Sequence, residues 1–193
     1  MRAPFFILVC LLVAISGCAY STSTEMYPFG SPMHHVFNGM QFLNMGLNED
    51  AERELSLALS SDPLFSPAYA GKGVYWAIAG YGDISRGYLS LAKKYAKNQS
   101  ENAFYLLLSM QAELSLNEEG WLKRLRADYD EVVKIEPANS LAHYWMGLGL
   151  FKSGDFEEAS EKLRRVVELN GKNRKEAEGL LEEAKKNLKG APE

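Results

Sequence analysis

Histidines and adjacent carboxylates are the side chains of this sequence that could bind a metal or move a proton. His34 and His35 are neighbours, so on a helix they point about 100° apart and cannot converge on one ion. His143 is far away in the chain. No HExxH, CxxC, GxSxG or phosphate-loop pattern is present. The sequence therefore predicts neither a metal site nor a bound cofactor.

Adjacent glutamates occur at three places, Glu118-Glu119, Glu157-Glu158 and Glu182-Glu183. They lie in charged turns and near expected helix starts, where water and the helix dipole stabilise a carboxylate. A general acid and its base would need to share a pocket instead. We therefore interpret these pairs as surface charges and predict a protein with no catalytic residues, not an enzyme.

The composition is that of one folded domain with a hydrophobic core. Of the 193 residues, 47% are hydrophobic and 24% charged, and three Trp, ten Tyr and nine Phe argue against disorder. The formal net charge of −4 offers no electrostatic attraction to nucleic acid. A nucleic-acid partner is therefore not expected.

Both cysteines, Cys10 and Cys18, lie near the start of the chain. Arg2 precedes an apolar run from Phe5 to Ile15, which is short for a bilayer span and typical of a secretory signal. An ordinary cleaved signal or an N-terminal membrane helix would also fit this run.

The residues Ile15-Ser16-Gly17-Cys18 resemble the lipobox of bacterial lipoproteins. The resemblance implies a signal peptide over residues 1–17, cleavage before Cys18 and acylation of that cysteine. Ala19, rather than Asp, follows the cysteine, which by analogy implies the periplasmic face of the outer membrane. Residues 18–30 would then be the lipidated cysteine and a tether rich in Ser and Thr.

The stretch from Ser140 to Asn173 predicts two amphipathic helices. Gly154-Asp155 separates them, and Asp155 with Glu158 forms a capping-box pattern at the start of the second helix. Apolar residues recur at steps of three and four, namely Ala142, Met146 and Leu150, then Ala159, Leu163, Val166 and Val167. The pattern therefore predicts a helical hairpin.

This hairpin resembles the tetratricopeptide repeat (TPR), a unit of 34 residues, with Gly147 and Ala159 at its small positions. The resemblance extends along the chain and implies an all-α fold, a TPR-type α-solenoid of about four hairpins with a C-terminal capping helix. The expected hairpins span residues 31–65, 66–99, 100–138 and 139–173, and the capping helix 174–189. Ser31-Pro32 and Ser66-Pro67 would open the first two hairpins as N-cap and first helical residue.

Two hairpins depart from the repeat pattern. In the second, Gly80 to Asp83 predicts a turn lengthened by about two residues, and Gly87 stands where alanine is usual. The third is about five residues longer around Ser115 to Trp121, so a helix or the turn is extended. Trp121 is either an exposed anchor for a partner or packs on the neighbouring repeat, which we favour.

In the TPR family the first helix of each unit lines a concave groove. The resemblance assigns to this groove Val36, Met40, Leu43, Asn44, Val74, Tyr105, Tyr144, Leu148 and Phe151, together with Ala70, Ala77, Ser109 and Ala112. The set is largely apolar, which suits an amphipathic helix, an extended hydrophobic segment or the protein's own tether. The alternative is that a short stack closes and buries these residues itself.

The leading hypothesis is a lipid-anchored TPR scaffold that binds an envelope protein or peptide segment. The resemblance points to envelope machinery such as secretin or type IV pilus assembly, outer-membrane assembly or recruitment of cell-wall enzymes. A periplasmic carrier that holds a hydrophobic small molecule for a transporter is the alternative. The carrier requires a closed apolar pocket, and the scaffold an open groove.

Overall fold

The computed structural model describes residues 27–190, and this part of the chain contains only helices and their connections. Its nine helices are α1 (Pro32–Asn44), α2 (Asn48–Ser61), α3 (Ser66–Ile78), α4 (Gly82–Tyr95), α5 (Gln99–Leu116), α6 (Trp121–Ile135), α7 (Ser140–Ser153), α8 (Phe156–Glu168) and α9 (Arg174–Gly190). The predicted all-α class is confirmed. Within residues 27–190 no helix has the length and apolar character that a bilayer span requires.

Consecutive helices pair into four hairpins, α1/α2, α3/α4, α5/α6 and α7/α8, and α9 packs on the last of them. The odd-numbered helices from α1 to α7 contact one another in sequence. Between residues 27 and 190 the even-numbered helices make no comparable contacts with each other. The odd-numbered helices therefore form the close-packed inner row, and the even-numbered helices spread around the outside.

A glycine opposite a leucine fixes the spacing of three hairpins. A Cβ atom placed on Gly147 would lie 2.9 Å from Leu163 Cγ, and one on Gly73 would lie 2.7 Å from Leu89 Cγ. Gly39 meets Leu55 in the same way, at 2.8 Å. Because no side chain separates the helices at these points, their backbones approach closely.

The third hairpin is longer because α5 has 18 residues, whereas α1, α3 and α7 have 13 or 14. On α6, Leu125 stands where the other hairpins have a small residue, Ala51, Ser85 or Ala159. Gly149 on α7 makes room, since a Cβ atom there would collide with Leu125. Trp121 is partly buried in the core beside Gly149, so the prediction that it packs on the neighbouring hairpin is confirmed.

The second hairpin follows the repeat more closely than its sequence suggests. Its helices end at Ile78 and begin at Gly82, so the connection is as short as the one after α1, and the predicted lengthening is wrong. Ser85, rather than Gly87, fills the small position, and its buried hydroxyl donates to the Gly73 carbonyl at 2.8 Å. Gly87 faces open space.

The two Ser-Pro pairs play different roles. Ser31 caps α1, since its hydroxyl accepts from the His34 amide at 3.2 Å, as predicted. Ser66 is already helical, and its buried hydroxyl donates to the Ala92 carbonyl at 2.8 Å. The prediction that Ser66 caps α3 is therefore wrong, because the side chain is needed to hold the helix against α4.

The capping box of α8 is half formed. Asp155 is the N-cap, and its carboxylate accepts from the Glu158 amide at 3.2 Å, as predicted. Glu158 does not reach back to the N-cap, because its carboxylate accepts two hydrogen bonds from Arg126 at 2.6 and 2.8 Å. This bidentate pair links α8 to α6 and joins two successive hairpins.

Both ends of the stack are closed. At the C-terminal end Ala177 of α9 is buried with Tyr144, Leu163 and Val166, and Leu180 and Leu181 pack beside them. At the N-terminal end the outer face of α1 is mostly polar and comprises His34, Phe37, Asn38 and Gln41. Only Phe37 in this set is apolar, and it is 47% exposed. The terminal repeats of a solenoid need such a polar, solvent-exposed outer face to stay soluble.

Candidate functional site

The described histidines are held by neighbouring protein groups. His35 Nδ1 lies 2.8 Å from Glu54, and Asn38 also donates to Glu54, at 3.4 Å. His34 receives a weak contact from the Gly30 amide at 3.4 Å. Among residues 27–190 no group of three His, Cys, Asp or Glu side chains is placed to hold a metal ion.

His143 connects the third and fourth hairpins. Its Nε2–H donates to the Pro137 carbonyl at 3.2 Å, so Nδ1 accepts from the Tyr129 hydroxyl at 3.1 Å. Burial is the main cause that lowers the pKa of His143. A neutral imidazole with both nitrogens bonded is a structural element rather than a proton donor for a substrate.

One glutamate of each adjacent pair forms an ion pair on the surface. Glu118 accepts from Arg86 at 2.7 Å, and Glu182 from Lys185 at 2.8 Å, while Glu158 binds Arg126. The other three, Glu119, Glu157 and Glu183, are exposed. None of these residues lines the cleft described below.

Among the carboxyl groups of residues 27–190, Asp128 on α6 has the pKa that is raised most. Burial, reinforced by the nearby charges of Glu113 and Glu131, raises the pKa of Asp128 to about 6. Tyr105 lies close enough that Asp128 contributes to raising the pKa of its hydroxyl, although burial is the larger cause. Perturbed groups often mark active sites, but this cluster does not border the cavity described next.

The structure buries most of the predicted groove. Fully or almost fully buried are Val36, Leu43, Ala70, Val74, Ala77, Tyr105, Ser109, Ala112 and Tyr144. Met40, Leu148 and Phe151 are partly buried, and Asn44 is exposed. The middle of the concave face is therefore filled by the protein's own side chains. That these positions bind a partner stays a prediction. Of the whole set, only Met40, Leu148, Phe151 and Asn44 have side chains that solvent reaches to a substantial extent.

An open cleft of about 380 Å³ lies elsewhere, at the edge where the odd-numbered helices begin. We call it the entry cleft, because Tyr27, the first described residue, lies in its wall. The other lining residues are Met33, Phe65, Pro67, Ser100, Glu101, Ala103, Phe104, Leu107 and Glu136. They come from α1, α3, α5 and the end of α6, so three hairpins build the cleft together.

Two carboxylates border this cleft, most of whose other lining residues are apolar. Glu101 accepts from the Lys97 backbone amide at 2.9 Å, while its own amide donates to Asn98 at 2.9 Å. Glu136 accepts from the Asn139 side-chain amide at 2.6 Å. Within residues 27–190 no Lys, Arg or His side chain forms an ion pair with Glu101 or Glu136. The carboxylates are therefore oriented by neutral donors, and neither is paired with a cationic side chain of the described residues.

Sequence reasoning missed the entry cleft because its lining sits in helix starts and connections. Phe65 and Phe104 are 39 positions apart, and no periodic pattern relates them. The sequence feature that could have indicated the cleft is the presence of glutamate and phenylalanine residues near the hairpin boundaries. It has meaning only after the stacking of α3 on α5 is known.

The fold is that of a TPR solenoid, as predicted. The tetratricopeptide repeat profile matches residues 140–173. A chain in the crystal structure of the APC/C hetero-tetramer Cut9–Hcn1 is similar over 86% of this chain, with a TM-score of 0.55 and 20% identity. This chain spans only 31% of that one.

A second similar structure is that of pilF from Pseudomonas aeruginosa. The likeness covers 82% of this chain and 90% of the other, with a TM-score of 0.38 and 14% identity. No curated protein sequence matches. The repeat match over residues 140–173 and the likeness to the Cut9–Hcn1 chain agree with the TPR-type stack of helical hairpins that the structure shows.

Proposed function

We propose that this chain is a non-enzymatic scaffold that binds a segment of another envelope protein in its entry cleft. The observation that supports the proposal is an open cleft with both apolar and acidic lining residues, on a solenoid whose C-terminal end is closed by α9. The cleft is therefore a surface that the protein's own side chains leave open to a partner segment. Secretin or type IV pilus assembly, outer-membrane assembly and cell-wall enzyme recruitment are the settings that the lipobox resemblance favours.

Cys18, the proposed lipid anchor, lies outside the described residues. Nine residues lead from Cys18 to Tyr27, and an extended chain of that length reaches at most ~30 Å. Tyr27 borders the entry cleft. A lipid on Cys18 would therefore keep the cleft near the periplasmic face of the outer membrane, so the proposed partner is close to that membrane too.

Photocrosslinking in living cells tests the binding role. A photoreactive amino acid in place of Leu107 is expected to capture a defined envelope protein, since Leu107 lines the entry cleft. The same amino acid in place of Ile84, which is exposed on α4 outside the cleft lining, is the control. Equal capture at both positions, or none at Leu107, would contradict the proposed function.

Replacing Cys18 by alanine tests the anchor. We expect the variant to move from the membrane fraction to the soluble periplasmic fraction, because acyl chains contribute ~0.8 kcal/mol per buried CH₂ group. Immunoblots of fractionated cells measure the distribution, and a Cys10→Ala variant is the matched control. Unchanged membrane association of Cys18→Ala would remove the lipoprotein proposal.

A carrier of a hydrophobic small molecule is the second candidate. The cleft volume of about 380 Å³ is within the range of small-molecule sites, ~300–1,000 Å³, but the cleft is open, whereas a carrier needs a closed pocket. Native mass spectrometry of the purified protein distinguishes the two functions. A co-purified ligand that is lost when Ser100→Trp fills the cleft would support the carrier, and its repeated absence would support the scaffold.

A further inference from the structure

We infer that the entry cleft recognises a cationic apolar segment, in which a bulky apolar side chain lies next to a lysine or arginine. This inference rests on the proposed function and names the chemistry of its partner. The entry cleft combines two features that a partner must match at once, an apolar floor and an acidic border.

The floor is formed by Met33, Phe65, Phe104 and Leu107. Phe65 and Phe104 also pack against a buried cluster that α1, α2 and α3 form together, so the core supports both rings. A volume of about 380 Å³ suits one or two large side chains rather than a whole helix. The floor therefore selects a segment that inserts an apolar anchor residue.

The border selects positive charge. Glu101 and Glu136 are held by hydrogen bonds from the Lys97 amide and the Asn139 side chain, so they need little reordering to accept a cation. The ammonium group of Lys97 lies 3.2 Å from Asp62. The Lys97 ammonium thus pairs with Asp62 rather than with either cleft glutamate.

The start of α5 would by itself attract an anion, because the helix dipole is positive there. Glu101 already lies in that first turn, and its carboxylate accepts a hydrogen bond from the backbone amide of Lys97, which precedes the helix. A second carboxylate or a phosphate would meet two like charges, from Glu101 and Glu136. The cleft is therefore built against acidic partners.

The chain's own N-terminal segment does not have the matching charge. Residues 19–26, which precede Tyr27, contain Glu25 and no lysine or arginine. Their charge repels the border of the entry cleft instead of complementing it. A separate protein segment that carries Lys or Arg is therefore the occupant that the charges favour.

Two synthetic peptides provide the test. One is an amidated nonapeptide of alternating leucine and lysine, and the other has glutamate in place of each lysine. Binding to the full-length protein in neutral detergent is measured by fluorescence anisotropy at low salt, with empty micelles as the blank. We expect the basic peptide to bind at least about fivefold more tightly, with the preference falling as NaCl is added.

Charge-neutral variants locate the effect. Glu101→Gln with Glu136→Gln keeps the size of both side chains and one acceptor oxygen on each, and it should abolish the preference for the basic peptide. The matched control, Glu157→Gln with Glu183→Gln, removes two exposed charges on α8 and α9, which do not line the cleft, and should leave the preference intact.

Three results would overturn the inference. They are equal binding of the two peptides, no binding of either, and a preference that survives neutralisation of Glu101 and Glu136. Tighter binding after deletion of residues 19–26 would assign the cleft to the chain's own segment, and a dimer that the peptide dissociates would assign it to a second copy. The crosslinking at Leu107 decides the proposed function separately, since capture there does not depend on the partner's charge.

Discussion

Replacing Gly147 by alanine is expected to lower the free energy of unfolding by about 1–3 kcal/mol, although alanine is the better helix former. The new Cβ atom would lie 2.9 Å from the Leu163 side chain and 3.3 Å from the Leu163 backbone nitrogen. The side chain can change rotamer, but the backbone nitrogen cannot move without α8. The substitution therefore forces the α7/α8 hairpin apart.

Gly87→Ala is the matched control for this prediction. Gly87 lies within α4, and a Cβ atom there would meet nothing within 4 Å. This substitution gains helix propensity without a steric cost, so it should raise the free energy of unfolding by up to about 1 kcal/mol. Urea denaturation followed by circular dichroism measures both variants. If both substitutions shift the urea midpoint in the same direction, the contact between position 147 and Leu163 does not determine stability as we expect.

The repeat period was predictable because it depends on residue size at fixed positions. Gly147 and Ala159 in the last hairpin are small where the helices meet, and the sequence shows this directly. Ser85 was not recognised at the equivalent position, because a buried hydroxyl is acceptable only if it finds an acceptor. The Gly73 carbonyl supplies that acceptor, which the sequence alone does not reveal.

The positions of the glycines did not predict the length of the connection between α3 and α4. Gly80 has a positive φ of 81° and forms the turn, but Gly82 is helical and lies against the Glu118 side chain of the third hairpin. Position 82 therefore favours glycine because a larger side chain would collide with Glu118 of the next hairpin. Pattern reasoning treats glycine as a breaker of local structure and has no access to such contacts.

The candidate site was the least predictable part of the molecule. Val36 and Val74 follow the expected pattern for groove-lining positions, yet both are completely buried. How tightly the odd-numbered helices pack determines whether such residues face solvent or each other. The entry cleft depends on the same packing, since Phe65 and Phe104 come together only when α3 lies on α5.

Asp128→Asn is expected to stabilise the protein at pH 7 by about 1–3 kcal/mol and to have little effect at pH 4. Burial raises the pKa of Asp128 in the folded protein from 3.8 to about 6, and the nearby charges of Glu113 and Glu131 add to this effect. Asparagine cannot ionise, so it removes the cost of the buried charge.

The direction of the pH dependence follows from the raised pKa. Below about pH 4 Asp128 is protonated in both the folded and the unfolded chain, and the folded protein carries no charge penalty. Between about pH 4 and pH 6 the unfolded chain has lost the Asp128 proton while the folded chain still holds it, so the stability of the folded protein falls over this range and levels off above about pH 7. Ser109 and Lys93 oppose the shift, by a hydrogen bond and by positive charge, but they do not cancel it.

Thermal unfolding at pH 4, 5, 6 and 7 measures this effect against Asp130→Asn. Asp130 is exposed on the same helix, so its replacement should change stability by less than about 0.5 kcal/mol at each pH. The difference in stability between Asp128→Asn and the unmodified protein should grow mainly from pH 4 to pH 6 and level off by pH 7. A constant difference would mean that Asp128 is not ionised against a burial cost, and that its polar contacts alone determine the effect of the substitution.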